Sequence, residues 1–328
     1  MSDTIMPPLL LEDTSTGSTA RIAPELGFNC FEFQANLGGR LVDVIDAAPE
    51  FAEGNERPSG HGIPILFPFP NRIREGRFSW NGIDYEIPSS TCPYDATDNA
   101  IHGFCLDRPW RVVEQGQSFA VGQFRLSQDA PDRLDCWPAD FLIEVRYELR
   151  GTTLRCDVRI ANPDDKPLPW GFGTHPYFRL PLDPHSAPAR CLVQASAAEL
   201  WELTDCLPTG NRLPVGEGTD LRDGEYFDCL KLDDVLTNLA ADDSGRIVES
   251  VLMDEQAGLQ VSQRFDTTFR ELVVFTPPGR NAVCLEPYTC VTDALNLQES
   301  GVDAGWNVLP PGEEFRTWIE IAAELVLA

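Results

Sequence analysis

Alternation of apolar and polar side chains with a period of two constrains this chain more than any other feature. In Phe141-Leu142-Ile143-Glu144-Val145-Arg146-Tyr147-Glu148-Leu149-Arg150 every odd position is apolar and most even ones are charged. After Gly151-Thr152-Thr153, Leu154, Cys156, Val158 and Ile160 alternate with Arg155, Asp157 and Arg159. That period separates a buried from a solvated face only in a strand, so the two runs read as an antiparallel hairpin. A second hairpin is marked by Asn81-Gly82, set between Arg77-Phe78-Ser79-Trp80 and Ile83-Asp84-Tyr85-Glu86-Ile87. Both residues of such a turn must accept positive φ, which Asn and Gly do most readily.

Further strands are expected over 29–34, 41–45, 259–265, 271–275, 282–285 and 315–321, and one short helix over 195–201. No long segment keeps a helical period, and 27 prolines and 25 glycines punctuate the chain. Strands spread this evenly predict an all-β fold, a large antiparallel β-sandwich rather than an α/β protein. Length alone, 328 residues, suggests about two domains at roughly 150 residues each. No composition break marks a linker, however, so one domain over 1–328 is expected, with 1–19 as a loose N-terminal segment.

The charge balance excludes several partners. With 52 acidic and 25 basic side chains the formal net charge is −27, and no basic run occurs. Nucleic acid and anionic membrane surfaces are held by Lys and Arg, so neither is expected as a partner. A phosphorylated substrate would meet an adverse long-range field, whereas a neutral small molecule would not. The ten cysteines are scattered without a C-x-x-C pair, and several lie in apolar runs such as Ala282-Val283-Cys284-Leu285. They read as small core residues rather than a disulfide or zinc framework. Residues 1–11 lack a basic start and a long apolar stretch, so no signal peptide is expected. A reduced, cytoplasmic location, as a monomer or homodimer, is the expectation.

Only four histidines are present. His61 lies in a glycine- and proline-bounded loop, His185 in a turn-like Asp183-Pro184-His185-Ser186, and His102 in Asn99-Ala100-Ile101-His102-Gly103. His175 stands out, because Gly171-Phe172-Gly173-Thr174 before it permits close approach and Pro176-Tyr177-Phe178 after it supplies aromatic walls. Taken singly, a histidine is more often a structural residue than a catalyst. Glu286 follows an apolar strand in Val283-Cys284-Leu285-Glu286-Pro287-Tyr288, where a rigid scaffold would hold an acid or base, although a strand-end glutamate is also commonplace. Arg72, after the stiff segment Pro64-Ile65-Leu66-Phe67-Pro68-Phe69-Pro70, offers a fork-shaped donor. Asp233 and Asp234 read as loop acids. Nucleotide loops, H-E-x-x-H zinc motifs and G-x-S-x-G elbows do not occur.

These pieces, in this order, resemble the aldose 1-epimerase (galactose mutarotase) family. The resemblance rests on Asn71-Arg72-Ile73, Gly76-Arg77-Phe78 with Asn81-Gly82, Asn99-Ala100-Ile101-His102-Gly103, His175-Pro176-Tyr177-Phe178, Leu232-Asp233-Asp234-Val235, Cys284-Leu285-Glu286 and Asp293-Ala294-Leu295-Asn296. It covers the chain from about residue 20 to the C-terminus. It implies a mutarotase-like supersandwich and an isomerase of carbohydrate metabolism that interconverts the α and β anomers of a free aldose, a neutral hexose by preference, without metal or nucleotide cofactor. It places His175 as general acid and Glu286 as general base, with Arg72, His102 and Asp233 on the sugar. The acid role requires His175 to hold a proton, which a neighbouring carboxylate or the sugar itself would favour. Tyr177, Phe178 and Trp170 are candidates to stack on the ring. Gly171-Phe172-Gly173-Thr174 and Glu286-Pro287-Tyr288 depart from the archetypal galactose enzymes and mark a divergent branch. A hexose-6-phosphate 1-epimerase, with Arg72 and Arg74 or Arg77 on the phosphate, and a non-catalytic sugar-binding protein are the alternatives.

Overall fold

The computed structural model describes residues 6–326, and its regular structure is overwhelmingly antiparallel strand. The alternating runs form the expected hairpin, Leu142–Arg150 paired with Thr153–Ala161. Ile143, Val145, Tyr147 and Leu149 on one strand and Leu154, Cys156, Val158 and Ile160 on the other are buried. The intervening charges form a solvated lattice, with Arg159 bonded to Glu144 at 3.1 Å and Arg155 to Asp157 at 2.9 Å. Ion pairs exposed in this way add little individually; burial of the alternate face drives the pairing, at about 1.5–3 kcal/mol per large apolar side chain.

This hairpin belongs to a nine-stranded sheet whose middle strand is Glu314–Leu325 and which also takes in Leu259–Asp266 and Ile247–Asp254. The second large sheet has eight strands, among them Ala197–Thr204, Asp233–Leu239, Glu271–Phe275, Ala282–Tyr288 and Tyr177–Arg179. A four-stranded sheet of Leu9–Asp13, Ser18–Ala23, Asn29–Leu37 and Arg40–Asp43 adjoins them. Side chains from all three enter one continuous core, which makes the molecule a large β-sandwich. Thr174 and Ile63 on the pocket-bearing side meet Tyr147, Leu154 and Ile319 of the nine-stranded sheet across a small apolar gap.

Two expectations are corrected. The segment over 195–201 is not a helix: Ala197–Thr204 pairs with both Leu207–Pro214 and Asp233–Leu239. Its alanines favour helix, but intrinsic propensity is small per residue and burial of Trp201 in the sheet outweighs it. Nor is 1–19 loose from Leu9 onward, because Leu9 and Leu11 are buried and their strand pairs with Ser18–Ala23; residues 1–5 lie outside the described residues. The Asn81-Gly82 hairpin forms as expected, joining Arg77–Trp80 to Ile83–Glu86. All ten cysteines are free thiols and eight of them are buried. Among the described residues no helix is long and apolar enough to cross a membrane.

Candidate active site

Strand register assembles the site. Asp233, Phe275, Cys284 and Tyr177 are successive cross-strand partners and so form one row on one face of the eight-stranded sheet. Two residues along, Val235, Val273 and Glu286 form the next row. His175 lies two residues before Tyr177 and thereby falls beside Glu286, with Nε2 3.3 Å from Oε1. Its own N–H donates to the Pro64 carbonyl at 3.1 Å, which ties it to the stiff proline segment.

A second wall comes from the short pair Arg72–Ile73 and Ala100–Ile101, in which Arg72 is opposite Ile101. His102 follows directly with φ of 67°, its N–H donating to the Asn71 carbonyl at 2.8 Å. Left-handed backbone at a bulky non-glycine residue is uncommon and concentrates at functional sites. Gly103 continues the left-handed path at φ 75°, and a Cβ there would meet the Phe67 carbonyl at 2.2 Å. The close approach that the sequence suggested before His175 is also realised, because a Cβ on Gly173 would lie 2.3 Å from the Tyr288 ring.

All five residues expected at the site, Arg72, His102, His175, Asp233 and Glu286, line one cavity of about 390 Å³. His61 and His185 lie elsewhere. His61 accepts the Ala48 N–H at 3.2 Å and sits near Glu56, while His185 is in an exposed turn. Of the proposed stacking residues only Tyr177 lines the cavity, joined by Phe275. Trp170 and Phe178 are buried in the core, where Trp170 packs 4.9 Å from Phe315. Arg74 and Arg77 are also outside, pointing to Asp293 and Glu86.

Several neighbours were not legible beforehand. Asp95 accepts from Arg72 Nε at 2.6 Å, and Asn71 Oδ1 accepts from Arg72 Nη1 at 2.9 Å, so the guanidinium is held by two partners with further N–H groups left for a ligand. The signal for Asp95 was its turn chemistry: Oδ1 takes the N–H groups of Thr97 at 2.9 Å and Asn99 at 3.0 Å. Tyr288 donates its hydroxyl proton to Glu286 Oε2. Tyr177 stacks on His175 at 4.6 Å and donates to the Ser59 carbonyl at 3.0 Å, which leaves its oxygen 3.5 Å from His175 Nε2. Exposed Arg57 completes the rim.

Electrostatically the site favours neutral forms. Burial pushes the His175 imidazole down to about 3, with Arg57 and Arg280 acting in the same direction. Burial likewise holds the Glu286 carboxyl well above the ordinary carboxylate range, against the opposing hydrogen bond from Tyr288. His102 is held well below the usual imidazole range by burial and then by His175 and Arg72. The carboxylate neighbour by itself therefore does not keep His175 charged, because desolvation outweighs the contact.

The sequence profile of the aldose 1-epimerase family matches residues 18–322. The chain belongs to the aldose 1-epimerase family. Among its relatives is the uncharacterized protein YihR of Escherichia coli (strain K12), 25% identical over 262 residues, or 79% of this chain and 77% of that protein. A galactose mutarotase-like protein from Clostridium acetobutylicum shares the fold with a TM-score of 0.83, 23% identity and coverage of 94% and 93% of the two chains. A GalM/aldose epimerase homologue from Caenorhabditis elegans superposes with a TM-score of 0.79 at 19% identity, covering 98% and 100%. A larger hollow of about 500 Å³ on the nine-stranded sheet, lined by Gln194, Arg222 and Glu249 among others, contains no histidine and no buried acid–base contact.

Proposed function

We propose that this protein is an aldose 1-epimerase that interconverts the α and β anomers of a free, neutral aldose. The observation that carries the proposal is the direct contact of a buried imidazole and a buried carboxylate, Nε2 to Oε1 at 3.3 Å, inside a cavity of sugar size. Ring opening of a hemiacetal moves two protons at oxygens on one carbon, so it needs an acid and a base side by side.

In the proposed cycle Glu286 as carboxylate takes the proton of the C1 hydroxyl while His175 Nε2 delivers one to the ring oxygen and the C1–ring oxygen bond breaks. The pair is then carboxylic acid and neutral imidazole. The aldehyde turns about C1–C2 and the steps reverse on its other face. Burial favours the neutral pair and so suits the open-chain half of the cycle. The Tyr288 hydroxyl on Glu286 and the Tyr177 oxygen facing His175 Nε2 support the charged half. Arg72, aimed by Asp95 and Asn71, would hold ring hydroxyls together with Asp233 and His102, fixing the sugar against the pair. The contributors run from Arg57 to Glu286, which fits one catalytic domain spanning the chain. A reducing compartment, the cytoplasm, suits ten free thiols.

A neutral sugar is favoured over a hexose 6-phosphate because Arg74 and Arg77 do not reach the cavity and Arg72 is already neutralised by Asp95. The test is polarimetry on freshly dissolved α-D-glucose, α-D-galactose and α-D-glucose 6-phosphate. Faster approach to equilibrium with a neutral sugar than with the phosphate is expected; no acceleration over buffer with any common aldose would refute the proposal.

A further inference from the structure

Cys284 and Glu286 are two residues apart on the strand Ala282–Tyr288 and therefore face the same side. Cys284 is the cross-strand partner of Tyr177, which stacks on His175, so the thiol lies against the acid–base pair. A ring nitrogen of His175, the Cys284 sulfur and a carboxylate oxygen of Glu286 all lie within 4.8 Å of one another, and all three residues are buried. We propose that this trio binds a divalent transition-metal ion of the zinc class, and that its entry blocks anomer exchange by occupying both proton-transfer groups.

The donor set and geometry fit such an ion. Imidazole with thiolate selects zinc or cobalt over magnesium or calcium, which prefer all-oxygen sites. Donors about 2.0–2.3 Å from a tetrahedral zinc stand roughly 3.3–3.6 Å from each other. The His175–Glu286 separation of 3.3 Å already matches that edge. Bringing the sulfur in requires a further approach of only about 1 Å, counted from the tetrahedral edge of roughly 3.6 Å. Three protein donors leave a fourth position open toward the cavity, where a water or a sugar oxygen would sit. The metal ligands also have outer partners of the kind that orient such groups: Tyr288 holds the second oxygen of Glu286, and Tyr177 fixes the plane of His175. Binding would require the Cys284 thiol and the Glu286 carboxyl to be deprotonated, their protons passing to solvent.

The inhibitory consequence rests on the aldose 1-epimerase reading; the metal site does not. Full-length protein stripped with EDTA is titrated with Co²⁺ and followed by its near-ultraviolet thiolate-to-cobalt charge-transfer absorption. One equivalent should produce the band, and Cys284→Ser and Cys284→Ala should each abolish it. No band in the wild type, or an equal band in a folded variant, overturns the site. In the second arm Zn²⁺ should slow anomer exchange by the wild type, with recovery on chelation. Measured against its own zinc-free rate, Cys284→Ser should need more zinc for the same fractional inhibition, by a factor above the roughly 10–100-fold that loss of an outer partner costs. Equal zinc sensitivity of wild type and variant overturns the inhibitory role. If the wild type shows no anomer exchange, the functional reading fails and the cobalt band still decides the site.

Discussion

At the residue scale, one hydroxyl governs how the proposed base works. Glu286 is almost wholly buried, and the Tyr288 hydroxyl is the hydrogen bond that opposes the upward push of burial on its carboxyl. Removing it with Tyr288→Phe leaves the ionised carboxylate without that partner, a loss of about 1.5–3 kcal/mol for a bond to a charged group. The direction follows from linkage. A carboxyl pushed further up is available as base only at higher pH, so the acidic limb of the pH–rate profile should move to higher pH. The rate near neutrality should fall by roughly tenfold or more. A pH–rate profile of the variant superimposable on that of the wild type would show that Tyr288 only fills space. Arg72 illustrates a complementary limit on reading sequence. Its residue type announced a donor fork, but Asp95, 23 positions away, is what aims it. The loop Asp95-Ala96-Thr97-Asp98-Asn99 carried a turn signal, and nothing in its spacing connected that turn to Arg72.

At the element scale, the legible parts were those in which local pattern and tertiary environment agree. The 142–161 hairpin has one face in the core and one in water, so its period survives intact in the sequence. Ala282–Tyr288 is buried at every position, and it could be recognised only as an apolar run ending in Glu286. Ala197–Thr204 misleads because its alanines favour helix, whereas Trp201 is committed to the sheet by burial and by donating Nε1–H to Glu271 at 2.9 Å. Convergence of Asp233, Glu286 and His175 depends on register across four strands, and Arg72 and His102 arrive on a separate two-stranded pair, neither of which a local pattern encodes. In the sequence Tyr288 is only part of a divergent motif; its contact with Glu286 emerges only in the folded strand, where its ring packs against Gly173. The short elements carrying His102 depend on Gly103 in the same way. Gly103→Ala should destabilise the fold by about 1–3 kcal/mol, the cost of forcing a residue into such backbone. It should also lower activity by displacing His102. Thermal unfolding and anomer exchange measured together check this, and an unchanged midpoint would contradict it.

At the scale of the whole molecule, the acid surplus and the buried acids have different consequences. The net charge of −27 lies on a solvated exterior and disfavours anionic partners. Glu271 lies in the interior beneath Trp201, where burial raises its carboxyl to about 7 despite the hydrogen bonds from Thr237 and Trp201. A carboxyl whose folded value is raised contributes most below its unfolded value, and that contribution is lost as pH rises through the folded one. Stability should therefore decline between about pH 4.5 and pH 7, by up to ~3 kcal/mol for this group. Glu271→Gln, which cannot ionise, should gain on the wild type as pH rises from 5 to 8, as read from denaturant unfolding at each pH. A gap between the two proteins that stays constant with pH would contradict the assignment. The sandwich itself is a scaffold on which sites of many kinds can be built, so the account stands on what the two proton-transfer groups do. The most direct measurement is NMR magnetisation exchange between the α and β anomeric protons of a neutral aldose at equilibrium. Wild-type protein should produce exchange far above buffer, and folded Glu286→Gln and His175→Ala should each lose roughly 10²–10⁴-fold of it. Exchange at the wild-type rate in either variant, or none above buffer for any neutral aldose with the wild type, would contradict the account.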